Sequence, residues 1–124
     1  MRKKILVVED DADLVELVAF NLRKAGYAIG TAMDGVEALK KARSLLPDLI
    51  LLDLMLPELD GFAVCEILRR DAATASIPII MVTAVSGELA RLAGMECGAS
   101  AYVTKPFEFK QLLGRVANLL TGGE

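Results

Sequence analysis

The chain has 124 residues, 54% of them hydrophobic and 25% charged, with 14 Lys plus Arg against 17 Asp plus Glu and a formal net charge of −3. That length and apolar content fit one soluble globular domain and exclude a disordered chain, while a pI near 5.0 argues against a nucleic-acid binder working through bulk positive charge. There is no histidine, which removes Ser-His-Asp and Cys-His catalysis, histidine-ligated zinc and a histidine general base.

Short apolar runs alternate with amphipathic segments along the whole length. Lys4–Val8 reads as a buried strand, and Asp13–Ala25 as a helix with Leu14, Leu17, Val18, Asn21, Leu22 and Ala25 on one face, ended by Gly26. Ala28–Thr31 is a short second strand. Asp34–Leu46 carries Val36, Leu39, Ala42, Leu45 and Leu46 at helical spacing before Pro47. The third run, Leu49–Leu52, is apolar on both faces, so helices must cover it from both sides, which points to a parallel sheet. Asp60–Arg70 is a third helix (Phe62, Cys65, Leu68), Pro78–Val82 a fourth strand, Ser86–Cys97 a fourth helix and Ala101–Thr104 a fifth strand. Glu108–Leu120 closes with Phe109, Leu112, Leu113, Val116, Leu119 and Leu120 on one stripe.

Strict β-α alternation repeated five times implies right-handed crossovers and an open α/β sheet, (βα)5, with helices on both faces. The length excludes an eight-stranded barrel, which takes about 250 residues. The domain is expected over 1–120, with 121–124 as a tail or the start of a linker. No apolar run approaches the roughly 18 residues of a spanning helix. The basic start, Met1-Arg2-Lys3-Lys4, has only four apolar residues before Glu9-Asp10, too few for a signal peptide. A cytoplasmic location, with no membrane partner, follows as an expectation. Cys65 and Cys97 do not form a Cys-x-x-Cys pair, and both lie in apolar helical stretches, where two small buried side chains are expected rather than a disulfide or metal site.

In an open α/β sheet, ligands bind outside the carboxyl ends of the strands. Those ends carry Glu9-Asp10, Asp53, Thr83 and Lys105. Taken alone, Glu9-Asp10 serves equally well as favourable charge at a helix N-terminus, Thr83 as a strand-end or capping threonine, and Lys105 as an exposed lysine before a proline. Together they read differently. Two or three carboxylates gathered at one sheet edge repel one another, and a cation with oxygen ligands relieves that repulsion. Mg²⁺ suits such a site, because it uses one or two carboxylates plus phosphate oxygens. Lys105 and Thr83 add a positive charge and a hydroxyl donor for a phosphoryl group, so the set suits phosphoryl transfer to a carboxylate.

The stretches Ile5-Leu6-Val7-Val8-Glu9-Asp10-Asp11, Pro47 to Pro57 with Asp53 inside it, Asp60-Gly61, Pro78-Ile79-Ile80-Met81-Val82-Thr83-Ala84, Gly98-Ala99 and Tyr102-Val103-Thr104-Lys105-Pro106-Phe107 together resemble the receiver (CheY-like) domain of two-component response regulators, closest to OmpR/PhoB-type receivers. The resemblance runs from Lys4 to about Leu120. It implies the flavodoxin-like strand order 2-1-3-4-5, for which CheY is itself a standard example. It also implies that Asp53 accepts a phosphoryl group from a sensor histidine kinase or histidine phosphotransfer protein, relaying a signal to a downstream effector domain or protein. A chain of this kind catalyses its own phosphorylation and dephosphorylation rather than acting on a separate substrate. Glu9, Asp10, Asp53 and the backbone carbonyl of Met55 would hold Mg²⁺. Thr83, the Ala84 amide and Lys105 would contact the phosphoryl group, Thr83 and Tyr102 would form the switch, and the Lys105-Pro106 bond would be cis. The absent histidine then means that the donor histidine comes from another protein or domain.

Some positions depart from the family's pattern. Glu9 stands where Asp is commoner, and Met55 and Val85 are apolar where a side chain could orient an attacking water, which implies a long-lived phosphoryl group. Ser100-Ala101 replaces two acids before Tyr102, and Gln111 and Ala117 replace an acid and a base, leaving Arg91 and Arg115 without expected partners. A monomer or weak dimer is therefore expected. An aspartyl phosphatase of the haloacid dehalogenase type would need a second acid at Met55. An FMN or nucleotide domain would need a phosphate loop where Glu9-Asp10-Asp11 stands. A degenerate receiver serving only as a protein-interaction module remains the alternative, against which the intact Asp10, Asp53, Thr83 and Lys105 speak.

Overall fold

A computed structural model describes residues 2–121; the end of the expected tail, residues 122–124, lies outside the described residues. The strands are β1 (Lys4–Val8), β2 (Ala28–Ala32), β3 (Leu49–Leu52), β4 (Ile79–Thr83) and β5 (Ala101–Thr104). The helices are α1 (Ala12–Lys24), α2 (Gly35–Leu45), α3 (Gly61–Arg70), α4 (Glu88–Glu96) and α5 (Phe109–Leu120). All the strands pair in parallel, in the order β2-β1-β3-β4-β5, as expected.

The central strands explain the apolar runs. Ile5 to Val8, Leu49 to Leu52 and Ile79 to Thr83 are buried throughout, so both faces of the sheet are covered. Alternation then divides each strand between two cores. Leu6, Val8, Ile50, Leu52, Ile79 and Met81 face α2 and α3, whereas Ile5, Val7, Leu49, Leu51, Ile80 and Val82 face α1 and α5. Burying each such aliphatic side chain stabilises by about 1.5–3 kcal/mol.

Helix ends follow local chemistry. Asp11, Asp34 and Asp60 cap α1, α2 and α3 by accepting hydrogen bonds from backbone amides of the first turn. Leu46, in the left-handed region, closes α2 before Pro47, and Gly98, with φ +108°, closes the turn after α4.

Several expected faces are corrected. On α1 the buried residues are Val15, Val18, Ala19 and Leu22, while Leu17 and Ala25 are exposed. The segment is apolar on more than one side, so its periodicity admits two faces and the sheet selects one. On α2, Ala38 and Ala42 approach the sheet, while Val36 and Leu46 stay exposed. Here small residues permit the close approach and larger ones remain outside. The fourth helix starts at Glu88 rather than Ser86, because Gly87 has φ +105° and cannot be helical. β2 runs one residue further than expected, to Ala32, and β4 sits one residue later than expected, ending at Thr83. Cys65 is buried but Cys97 is only half-buried, and both are free thiols.

Candidate phosphoryl-acceptor site

The sheet's hydrogen bonding continues one residue beyond three strands and so fixes the site. The Glu9 amide donates to the Ala32 carbonyl, the Asp53 amide to Val8 and the Lys105 amide to Thr83. Glu9, Asp53 and Thr83 are therefore held at the carboxyl ends of β1, β3 and β4, all buried (6%, 5% and 0% exposed). Asp10, one residue on, is exposed at the mouth. The Lys105-Pro106 peptide bond is cis, as the resemblance implied.

Lys105 reaches across from the end of β5. Its ammonium donates to Glu9 Oε1 at 2.6 Å and to Asp53 Oδ2 at 2.9 Å. The other oxygens are also engaged: Asp53 Oδ1 accepts from the Met55 amide at 3.1 Å and Glu9 Oε2 from the Asp11 amide at 3.1 Å. One oxygen from each of Glu9, Asp10 and Asp53 lies within 4.8 Å of the others. Beneath the two buried acids sits a cavity of about 20 Å³ walled by Val7, Leu14, Val18, Leu51, Val82 and Phe107, so the carboxylates face a low-dielectric floor.

The two buried acids respond in opposite directions. Burial would raise the Asp53 carboxyl, but hydrogen bonds from Lys105, the Met55 amide and Thr83 outweigh it and hold the group below its ordinary value. For Glu9 burial wins, assisted by the charge of Asp53, and the carboxyl rises despite Lys105 and the Asp11 amide. Burial alone would lower Lys105, yet its bonds to Glu9 and Asp53 raise it, so the ammonium stays charged. Of the two buried acids, Asp53 is thus the one better kept as an anion.

Thr83 and Tyr102 meet through the loop after β4. The Val85 amide donates to Thr83 Oγ1 at 3.3 Å, and the Tyr102 hydroxyl donates to the Val85 carbonyl at 2.6 Å. Ala84 lies between them and is exposed at the mouth. The structure thus brings together Glu9, Asp10, Asp53, Met55 and Lys105, with Thr83 at the end of the neighbouring strand, Ala84 next to it in sequence, and Tyr102 joined to Thr83 through the backbone of Val85. Sequence reasoning assigned no role to Gly61, although Asp60-Gly61 stood among the matching stretches. Its amide donates to the Leu54 carbonyl at 2.9 Å, and a Cβ there would collide with the backbone of Asp53 and Leu54. Only glycine lets α3 begin against the loop that carries Asp53. Nor could sequence spacing show that Lys105 bridges Glu9 and Asp53, residues 96 and 52 positions away.

Comparison with known proteins agrees with this geometry. Residues 5–117 match the family described as the response regulator receiver domain. The chain is 47% identical over 117 residues to the DNA-binding dual master transcriptional regulator RpaA of Synechocystis, covering 94% of this chain and 48% of that one. It is 48% identical over 124 residues to the alkaline phosphatase synthesis transcriptional regulatory protein PhoP of Bacillus subtilis, covering all of this chain and 51% of the other. These relatives are OmpR/PhoB-family response regulators, and the chain spans about half their length. Among solved structures, the Francisella response regulator 1452 receiver domain superposes with a TM-score of 0.92 at 30% identity, covering 99% of this chain and 100% of that one. The BeF3-activated N-terminal receiver domain of Klebsiella pneumoniae RstA gives 0.89 at 33% identity, covering 95% and 98%. Among the described residues no helix is long and apolar enough to cross a membrane. With its strand order, its acid-lined sheet edge and a family match over nearly its whole length, this chain belongs to the response regulator receiver domain family.

Proposed function

We propose that Asp53 accepts a phosphoryl group from the phosphohistidine of a sensor histidine kinase or a histidine phosphotransfer protein. The observation that carries this reading is the environment of Asp53, a buried carboxylate at the end of the central strand, bonded by Lys105 on one oxygen and by the Met55 amide on the other. A carboxylate held ionised in this way is an available nucleophile. In the transfer, an Asp53 oxygen forms a bond to phosphorus as the phosphorus–nitrogen bond breaks. The electron pair leaves with the donor imidazole nitrogen, and an aspartyl phosphate remains.

The acid cluster fits a divalent cation. Three carboxylates against one ammonium leave two uncompensated negative charges, and three oxygens already converge within 4.8 Å. Asp10, Asp53, Glu9 and the Met55 carbonyl would hold Mg²⁺, which supplies charge neutralisation at phosphoryl oxygens. Lys105 would turn from bridging Glu9 and Asp53 to pairing with the phosphoryl group. The Thr83 hydroxyl and Ala84 amide would take further phosphoryl oxygens, and the movement of Thr83 would reach Tyr102 through Val85. The consequence is a changed surface on α4, β5 and α5, read by a downstream effector domain or protein. On that surface Arg91 is paired with Glu88 of its own helix at 2.7 Å, which supports a monomer or weak dimer. Cytoplasmic function follows from the phosphohistidine partners this reading requires.

The test is incubation with acetyl phosphate. Wild type with Mg²⁺ should gain one phosphoryl group by intact mass. Chelation of Mg²⁺ or the substitution Asp53→Asn should abolish the gain. Because Met55 (63% exposed) and Val85 offer no group to orient water, the label should outlast removal of the donor by minutes or longer. Equal incorporation into Asp53→Asn defeats the proposal.

A further inference from the structure

The segment between β3 and α3, residues 53–60, carries two of the groups that would hold the cation, the Asp53 carboxylate and the Met55 carbonyl. It is irregular backbone, so what packs against it must fix its position. Inside it Glu58 has φ +69°, the left-handed region that a non-glycine residue occupies only where its surroundings hold it there. The Leu59 amide donates to the Pro57 carbonyl at 2.7 Å, which tightens the same turn. At the base of the loop the Gly61 amide donates to the Leu54 carbonyl at 2.9 Å and the Met55 amide to Asp53 Oδ1 at 3.1 Å. A Cβ on Gly61 would collide with the Asp53 carbonyl and lie 2.7 Å from the Leu54 Cα, so the first turn of α3 rests on the backbone beside the acceptor.

The far end of the loop meets α2. Gly35, the buried first residue of that helix, has no room for a side chain: a Cβ there would stand 2.6 Å from the Leu59 carbonyl, 2.8 Å from the Leu59 Cβ and 3.0 Å from Val64 Cγ2. The helix is fixed at this end. Asp34 accepts from the Glu37 amide at 2.7 Å while Glu37 accepts from the Met33 amide at 2.8 Å, and Ala38 is buried one turn on. Two contacts therefore lead from Gly35 to the site. One runs through Leu59 into the loop, and the other through Val64 into the first turn of α3, whose Gly61 lies on Asp53 and Leu54.

We propose that Gly35 is a positioning residue for the divalent cation: by letting α2 press on Leu59 and Val64 with no side chain between them, it sets where the loop presents the Met55 carbonyl beside Asp53. This rests on Glu9, Asp10 and Asp53 holding such a cation. An ion of the Mg²⁺ kind requires near-octahedral oxygens at about 2.1 Å, so a small displacement of one ligand lowers affinity. A methyl group at Gly35 meets a backbone carbonyl first, which no rotation of a side chain relieves, and the loop or the first turn of α3 must shift. Gly30 in β2 offers the contrast. A Cβ there would meet Leu45 Cδ1 at 2.8 Å, the tip of a flexible side chain at the other end of α2, away from the loop.

The test is titration of Mn²⁺, which takes the same oxygen ligands, into the whole chain, with the free ion followed by its paramagnetic resonance and urea unfolding measured beside it. No phosphoryl donor is present, so affinity is read apart from phosphorylation. Gly35→Ala should bind Mn²⁺ about ten-fold more weakly than wild type. Gly30→Ala, which also crowds α2, should lower the urea midpoint yet keep the wild-type affinity, a result that separates positioning from general destabilisation. If Gly35→Ala does not fold, Leu59→Ala decides: it leaves Gly35 in place, removes the side chain that packs the loop against the core, and should weaken Mn²⁺ binding in the same direction. Wild-type affinity in folded Gly35→Ala, or in Leu59→Ala where Gly35→Ala does not fold, overturns the proposal, as does an equal loss in Gly30→Ala. Wild type that binds no Mn²⁺ removes the cation reading itself, a distinct result.

Discussion

Helices α3 and α4 both serve the core beneath one face of the sheet, yet they are held in different ways. α3 is capped by Asp60, buries Gly61, Val64, Cys65 and Leu68, and carries Arg69 and Arg70 in its last turn, where cations favour the helix dipole. α4 lacks a side-chain cap and buries only Gly94, leaving Leu89, Leu92 and Met95 85%, 46% and 39% exposed. The difference assigns stability to one helix and movement to the other. An element with few buried apolar side chains opens at low cost, and an element with many opens only with the whole domain.

Truncations should widen that contrast. Leu68, 2% exposed and inside the core, should lose about 2–5 kcal/mol as Leu68→Ala, measured by urea unfolding. The same truncation at Leu89, which has little to lose, should change stability by no more than about 0.5 kcal/mol. Similar losses at both sites would show that α4 is packed as firmly as α3.

Between these extremes lies a pH effect confined to α3. Burial pushes the Cys65 thiol up from 9.0 to about 11. Above pH 9 the unfolded chain releases this proton while the folded chain keeps it, so stability must fall as pH rises from about 9 to about 11. The full loss is about 3 kcal/mol for this group. Cys65→Ala should show a correspondingly shallower alkaline decline, and an unaltered decline would place the thiol in a more solvated setting than its burial indicates.

The same contrast governs what the sequence made legible. The strands and the parallel sheet followed from apolar runs that no solvated face could tolerate, the strand order from the resemblance, and the site from acids, a hydroxyl and a lysine at strand ends. The stripe of α5, including Leu112 and Val116, was correct because its apolar residues occupy one side only. α1 was misread because Leu17 and Phe20 are apolar yet exposed, and periodicity alone cannot say which of two apolar faces the sheet will cover. The bond network was beyond reach for another reason: Lys105 to Glu9, Tyr102 to Val85 and Arg69 to Gly98 join residues distant in sequence. Arg69 resembles any basic residue at a helix end until its carbonyl partners are placed beside it.

The central claim is that Asp53 carries the phosphoryl group. After reaction with acetyl phosphate and Mg²⁺, borohydride reduces an aspartyl phosphate to the corresponding alcohol, and peptide mass spectrometry locates the reduced residue. Conversion of Asp53 to homoserine, with Glu9 and Asp10 unaltered, is the predicted result. Reduction at Glu9 or Asp10 with Asp53 intact would contradict it.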